Sequence, residues 1–106
     1  MHNVSQDVAD DQKLLQGLKI FGDAWTLAII WVLSQATHRF NELQRTLGNI
    51  SPTTLTDRLK KLESYGLIEA QKQTIDQLSV IYTLTDKGKK MLPVLGAIEQ
   101  FSRKLL

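Results

Sequence analysis

The segment Ser51 to Ile68, SPTTLTDRLKKLESYGLI, gathers most of the interaction chemistry in this chain. Hydroxyls come first (Ser51, Thr53, Thr54, Thr56), then one acid (Asp57), then three cations (Arg58, Lys60, Lys61). Threonine side chains can bond to base edges or pack on the thymine methyl. Lysine and arginine hold phosphates and carry no sequence information of their own. Asp57 repels phosphate, yet it can accept from cytosine or restrain Lys60 or Lys61 at neighbouring helical spacing.

These groups act together only on a rod that presents them on one side. Ser51 caps a helix, Pro52 fits its first position, and Gly66 stops it after Tyr65. At 100° per residue, with Leu55 at zero, Leu59 falls at about 40° and Leu62 at about −20°. Those three leucines form a docking face. Thr53, Asp57, Lys60 and Ser64 lie within about 40° of the opposite pole, flanked by Thr54, Thr56 and Lys61. Arg58 lies nearer the docking face and has two readings, a phosphate ligand or a structural ion-pair partner. A lysine-bearing helix face taken alone also reads as plain solvated surface. The elements around it weigh against that.

Before this helix, Leu14, Leu15, Leu18 and Phe21 recur at helical spacing, with Asp10 or Asp11 as cap. Gly22-Asp23 breaks the pattern. Asp23 then caps a helix from Ala24 to Gln35, apolar nearly all round and therefore central. Ala36 to Phe40 is a short connection, for which an extended conformation is one reading. A two-turn helix, Glu42 to Leu47, follows, with Asn41 and Gln44 at capping-box spacing. Gly48-Asn49-Ile50 is a turn. After Gly66, Leu67–Gln73 and Ser79–Leu84 read as two strands around a turn at Thr74 to Leu78. Thr85 caps a last helix running from Asp86 to about Leu106, with Pro93 inside it as a candidate kink. The first ten residues are polar and expected to fray. The fold expected is one mainly α domain over residues 1–106, a winged helix-turn-helix with a two-stranded β-wing.

Composition narrows the function. The chain has 106 residues, enough for one small domain, and 42% apolar residues, ordinary for a globular protein. The net charge of +2 decides little, but its distribution does. Arg39 to Lys61 holds five bases against Glu42 and Asp57, whereas Met1 to Trp25 holds two lysines against four aspartates. Without cysteine there is no disulfide, thiolate zinc site or thiol switch within the chain. His2 and His38 stand apart from any carboxylate cluster, so no metal or other cofactor is expected. No nucleophile, paired-carboxylate or glycine-loop motif points to an enzyme. The polar, acidic N-terminus is unlike a signal peptide, and the longest apolar run is too short to span a membrane. A cytoplasmic protein is expected.

Three stretches carry a family resemblance: DAWTLAIIWVL (Asp23 to Leu33), HRFNELQRTLGNISPTTLTDRLKKLESYGLI (His38 to Ile68) and YTLTDKGKKMLPVL (Tyr82 to Leu95). In this order they resemble the HxlR family of winged-helix transcription regulators, relatives of MarR, over roughly residues 20–100. The resemblance implies a homodimer on an inverted-repeat DNA operator, paired through the first and last helices. It implies phosphate or base contacts at Arg39, Ser51, Pro52, Thr53 and Arg58. Two features depart from it. Many members sense oxidants with a cysteine before the tryptophan-bearing helix, and this chain has none. Ser79 stands where the wing usually carries an arginine, leaving Lys72 as the hairpin's basic residue.

The C-terminal stripe of Leu95, Ile98, Phe101 and Leu105, with Leu14 and Leu18 at the other end, is expected to form the dimer interface. Lys87, Lys89 and Lys90 lie either on a phosphate track or on a solvated face. Phe21, Trp25 and Trp31 read as core rather than as the lining of a small-molecule effector pocket. The competing functional reading is a winged-helix module for protein–protein assembly, which the altered wing favours.

Overall fold

The computed structural model describes residues 11–72 and 80–106. Asp11 caps helix α1 (Gln12–Phe21), accepting from the Leu14 amide at 2.9 Å. Asp23 caps α2 (Ala24–Gln35), accepting from the Thr26 amide at 3.0 Å and the Thr26 hydroxyl at 2.6 Å. Then follow β1 (His38–Arg39), α3 (Phe40–Thr46), α4 (Pro52–Ser64), β2 (Ile68–Lys72), β3 (Val80–Leu84), α5 (Asp86–Lys89) and α6 (Leu92–Leu105). The strands form an antiparallel sheet in the order β1-β3-β2.

The core is one cluster around α2. Ile29, Ile30 and Leu33 meet Leu43 of α3, Ile50 of the turn, Leu55, Leu59 and Leu62 of α4, and Leu67, Ile68 and Leu84 from the hairpin. Leu55 and Leu62 are wholly buried and Leu59 is 2% exposed, as expected for the docking face. Ser51 accepts from the Thr54 amide at 3.1 Å, and Pro52 occupies the first turn of α4. Both helices of the helix-turn-helix end in paired reverse bonds. Gly48 and Asn49 donate back to Arg45 and Gln44 at 3.1 and 2.8 Å; Gly66 and Leu67 donate back to Glu63 and Leu62 at 2.9 and 3.0 Å. Gly66 takes φ +72°, the left-handed conformation this stop needs.

Four expectations need correction. The short helix begins at Phe40, not Glu42, because the Glu42 carboxylate accepts from the Arg39 amide at 2.9 Å and fixes the start there. Gln44 instead donates to the Ile50 carbonyl at 3.1 Å, bracing the turn. The sheet has three strands, since His38 and Arg39 pair with Tyr82 and Ile81. The last helix is two helices. Pro93 has no amide to continue α5, so the Lys90 and Met91 amides close on Lys87 and Gly88 at 3.2 and 3.1 Å, and Pro93 falls in the first turn of α6. Trp25 and Trp31 are 38% and 44% exposed, so they are not core residues of a single chain, whereas Phe21 packs on the core. Residues 1–10, the wing turn at 74–78 and Ser79 lie outside the described residues.

The stretch from Tyr82 to Gly88 (YTLTDKG) acts as a clasp on the end of α4. The Thr85 hydroxyl donates to the Gly66 carbonyl at 2.7 Å and accepts from the Gly88 amide at 3.0 Å. The Thr85 amide donates to the Leu67 carbonyl at 3.1 Å. A Cβ on Gly88 would fall on the Leu67 carbonyl oxygen and the Leu84 side chain. Gly88→Ala should therefore destabilise the fold by about 2 kcal/mol or more, read as a lower urea midpoint. An unchanged midpoint would show that the clasp is looser than this.

Candidate nucleic-acid interface

α4 stands on the core with its far side bare. Ser51, Pro52, Thr53, Asp57, Lys60 and Ser64 are exposed, and Thr54 and Thr56 are half-buried. Pro52, Thr53, Thr56, Asp57 and Lys60 line one shallow concavity of about 410 Å³. Thr53, Asp57 and Lys60 stand at the pole opposite the three leucines, where the helical wheel puts them, and Thr56 flanks that pole. The Ser51 hydroxyl also donates to Thr54 Oγ1 at 3.0 Å, which fixes that hydroxyl against its own cap. The start of the helix leaves amide groups pointing outward, with the positive end of the helix dipole.

Arg58 and Lys61 are elsewhere. Arg58 Nε donates to Asp23 at 3.2 Å, and its Nη1 donates to Asp57 at 2.6 Å. Lys61 Nζ donates to the other Asp23 oxygen at 3.2 Å and to the Ile20 carbonyl at 2.8 Å. Both cations therefore lie on the flank of α4 that meets the α1–α2 corner. The structural reading of Arg58 is the one the geometry favours, and Lys61 departs from its expected place on the phosphate side. Sequence reasoning treated Asp23 only as a helix cap. Two cations three residues apart, on one flank of a helix otherwise docked by leucines, are the signal that an acid had to face them.

Partial burial alone would push the Asp23 carboxyl up. The Thr26 hydroxyl and amide, Arg58 and Lys61 outweigh it and hold the group well below the usual carboxylate range. The Asp23 hydrogen bond in turn raises Arg58.

Arg39 is exposed at the start of α3. It lines a second concavity of about 520 Å³ with Phe40, Asn41, Glu42, Arg45, Val80 and Tyr82. Arg45 was not singled out from sequence, because an isolated arginine on a two-turn helix has no pattern to mark it. Burial, then the charge of Glu63, pushes the Tyr82 phenol up. Lys72 is exposed at the end of β2, opposite Val80. Among the other lysines, Lys87 donates to the Tyr65 carbonyl and Lys89 lies 3.9 Å from Asp86.

Of the residues expected at a dimer interface, Leu14, Leu18, Ile98, Phe101 and Leu105 are exposed, between 47% and 69%. Leu95 differs from these: it is partly buried against the chain's own core, because α6 lays its first turns on that core. No single described helix is long and apolar enough to cross a membrane.

The depressed Asp23 group has a consequence for acid stability. A carboxyl whose folded value lies below its unfolded one, about 3.9, stabilises the fold above that pH and loses this contribution as pH falls through the folded value. Asp23→Asn keeps a capping oxygen but loses the charge. It should lower stability by about 1 kcal/mol at neutral pH, after discounting for solvent screening. The gap to the parent chain should close as pH drops below about 4. A gap independent of pH in denaturant titrations would contradict the assignment.

A family model described as HxlR-like helix-turn-helix matches residues 20–106. The chain is 33% identical over 90 residues to the HTH-type transcriptional regulator YodB of Bacillus subtilis, covering 85% of this chain and 80% of that one. It is 32% identical over 87 residues to the uncharacterized HTH-type transcriptional regulator YvaP of the same organism, covering 82% and 81%. Among solved structures, a MarR-family regulator from Porphyromonas gingivalis W83 superposes with a TM-score of 0.81 at 33% identity, covering 91% of this chain and 94% of that one. Taken with the docked helix-turn-helix and its bare outer face, these matches show that the chain belongs to the HxlR-like helix-turn-helix family, as a winged-helix, DNA-binding transcriptional regulator.

Proposed function

We propose that the protein works as a homodimer on an inverted-repeat operator, each subunit laying the start of α4 in a major groove. The observation that carries this reading is the outer face of α4. Thr53, Asp57 and Lys60 are exposed, Thr56 is half-buried, and the four share one concavity beside the helix N-terminus. In helix-turn-helix proteins this end of the second helix approaches the base edges. Thr53, Thr56 and Asp57 take the reading role. Lys60 holds a phosphate, as do Arg39 at the start of α3 and Lys72 on the wing. Ser51, Pro52 and Thr54 shape the helix start and offer its amides to the backbone. Arg58 and Lys61 position the helix and leave phosphate binding to the others. A DNA partner supports the cytoplasmic reading.

Support for the dimer comes from apolar surface that a lone chain leaves in water. Leu14 and Leu18 on α1, and Ile98, Phe101 and Leu105 on α6, are large and exposed. Complete burial of such a side chain is worth about 1.5–3 kcal/mol, and covering the exposed part of each in a second copy would recover part of that. A two-fold dimer matches the symmetry of an inverted repeat.

Lys60→Ala should weaken binding to every duplex and reduce the salt slope by about one. Lys61→Ala should leave that slope unchanged. Equal loss of slope in both variants, measured by fluorescence anisotropy across a salt series, would return Lys61 to the phosphate side. For the interface, Phe101→Glu with Leu105→Glu should halve the mass seen by light scattering and leave the circular dichroism intact. A mass equal to that of the parent chain would place the dimer contact elsewhere.

A further inference from the structure

The Asp23 corner connects elements that the proposed reading uses for different purposes. Lys61 Nζ reaches the Ile20 carbonyl at 2.8 Å, in the last turn of α1, where carbonyls lack helical partners. The same ammonium holds Asp23, the cap of α2, at 3.2 Å. Arg58 holds the other oxygen of that carboxylate at 3.2 Å. One helix, α4, thus closes the end of α1 and braces the start of α2. The three side chains are only 26–32% exposed.

The leucines cannot do this alone. Leu55, Leu59 and Leu62 span an arc of about 60° on the helix wheel. A contact that narrow sets the depth of α4 and leaves its roll and tilt less constrained. Arg58 and Lys61 fall at about −60° and −120° on the same wheel, both on one flank. Hydrogen bonds there act with leverage against rotation of the helix.

We infer that Asp23, Arg58 and Lys61 form a joint that sets the angle of α4 against α1, and thereby the half-site spacing the dimer accepts. This rests on the homodimer reading, in which α1 contributes to the interface. In a symmetric dimer the path from the two-fold axis to the reading face runs through α1, the corner and α4. Moving one half-site by a base pair displaces it by about 3.4 Å and turns it by about 35°. A joint that fixes an angle is therefore read out as a preferred spacing. The joint meets the reading face only where Arg58 donates to Asp57 at 2.6 Å, a bond that Lys61→Met and Asp23→Asn both leave in place, so the half-site sequence should be kept in both variants.

The test is selection from a random-sequence duplex pool with the parent chain, Lys61→Met and Asp23→Asn. Lys61→Met keeps the aliphatic stem and removes the ammonium. Asp23→Asn keeps the α2 cap and removes the shared charge, so two independent variants report on one joint. The parent chain should recover inverted repeats at one spacing, favoured over its neighbours by about tenfold or more. Both variants should recover the same half-site with neighbouring spacings within about threefold of one another. A variant that keeps the parent's spacing preference overturns the inference. So does equal weakening at every spacing with a lower salt slope, which would make Lys61 a phosphate contact. Isolated half-sites recovered by the parent chain would show that the homodimer reading had failed first, and the inference with it.

Discussion

The structure depends on the burial of Leu55, Leu59 and Leu62 against α2. A domain this small has one core, and α4 supplies three of the eleven buried apolar residues among those described. Removing any one of them to alanine would cost about 2–5 kcal/mol, a large share of the stability of a small domain. The same burial determines function, because a helix docked by one narrow stripe must present the opposite stripe to solvent. The position of the face proposed to read DNA is thus set by the packing beneath it.

Around that docking the chain places devices that stop α4 from slipping. Ser51 and Pro52 define its start, Gly66 its end, and Thr85 clamps that end from α5. The Asp23 corner holds its flank. Each device satisfies backbone or charged groups that would otherwise be left open at a helix terminus or half-buried without a partner. Rigidity of the reading helix and satisfaction of polar groups are achieved by the same bonds.

Helix positions were legible in the sequence where chain-local chemistry determines them. Asp23, Ser51 and Thr85 cap as their types and spacing suggest, and the leucine spacing identified the docking face. What was not legible depended on contacts between distant segments. An extended Ala36 to Phe40 was one reading of the sequence, but its pairing with β3, which makes His38 and Arg39 a third strand, was not legible. Lys61 looked like a phosphate ligand because a helical wheel measures angle and cannot see that Asp23 sits 38 residues away against the same flank. Leu95 belonged to an apolar stripe whose first part packs on the chain's own core and whose second part is exposed, and the stripe itself does not mark where the change comes. Pro93 announced a break correctly, but the reverse bonds at Lys90 and Met91 turned a kink into two helices.

The central claim is that the outer face of α4 reads DNA and its flank does not. It is tested most directly by amide and side-chain NMR of labelled protein titrated with a duplex selected by the parent chain. The account predicts the largest shifts at Ser51 to Asp57 and at Lys60, with the Lys61 ammonium and Arg58 guanidinium signals little changed. Shifts centred on α1 and α6, with Thr53, Thr56 and Lys60 unmoved, would contradict it.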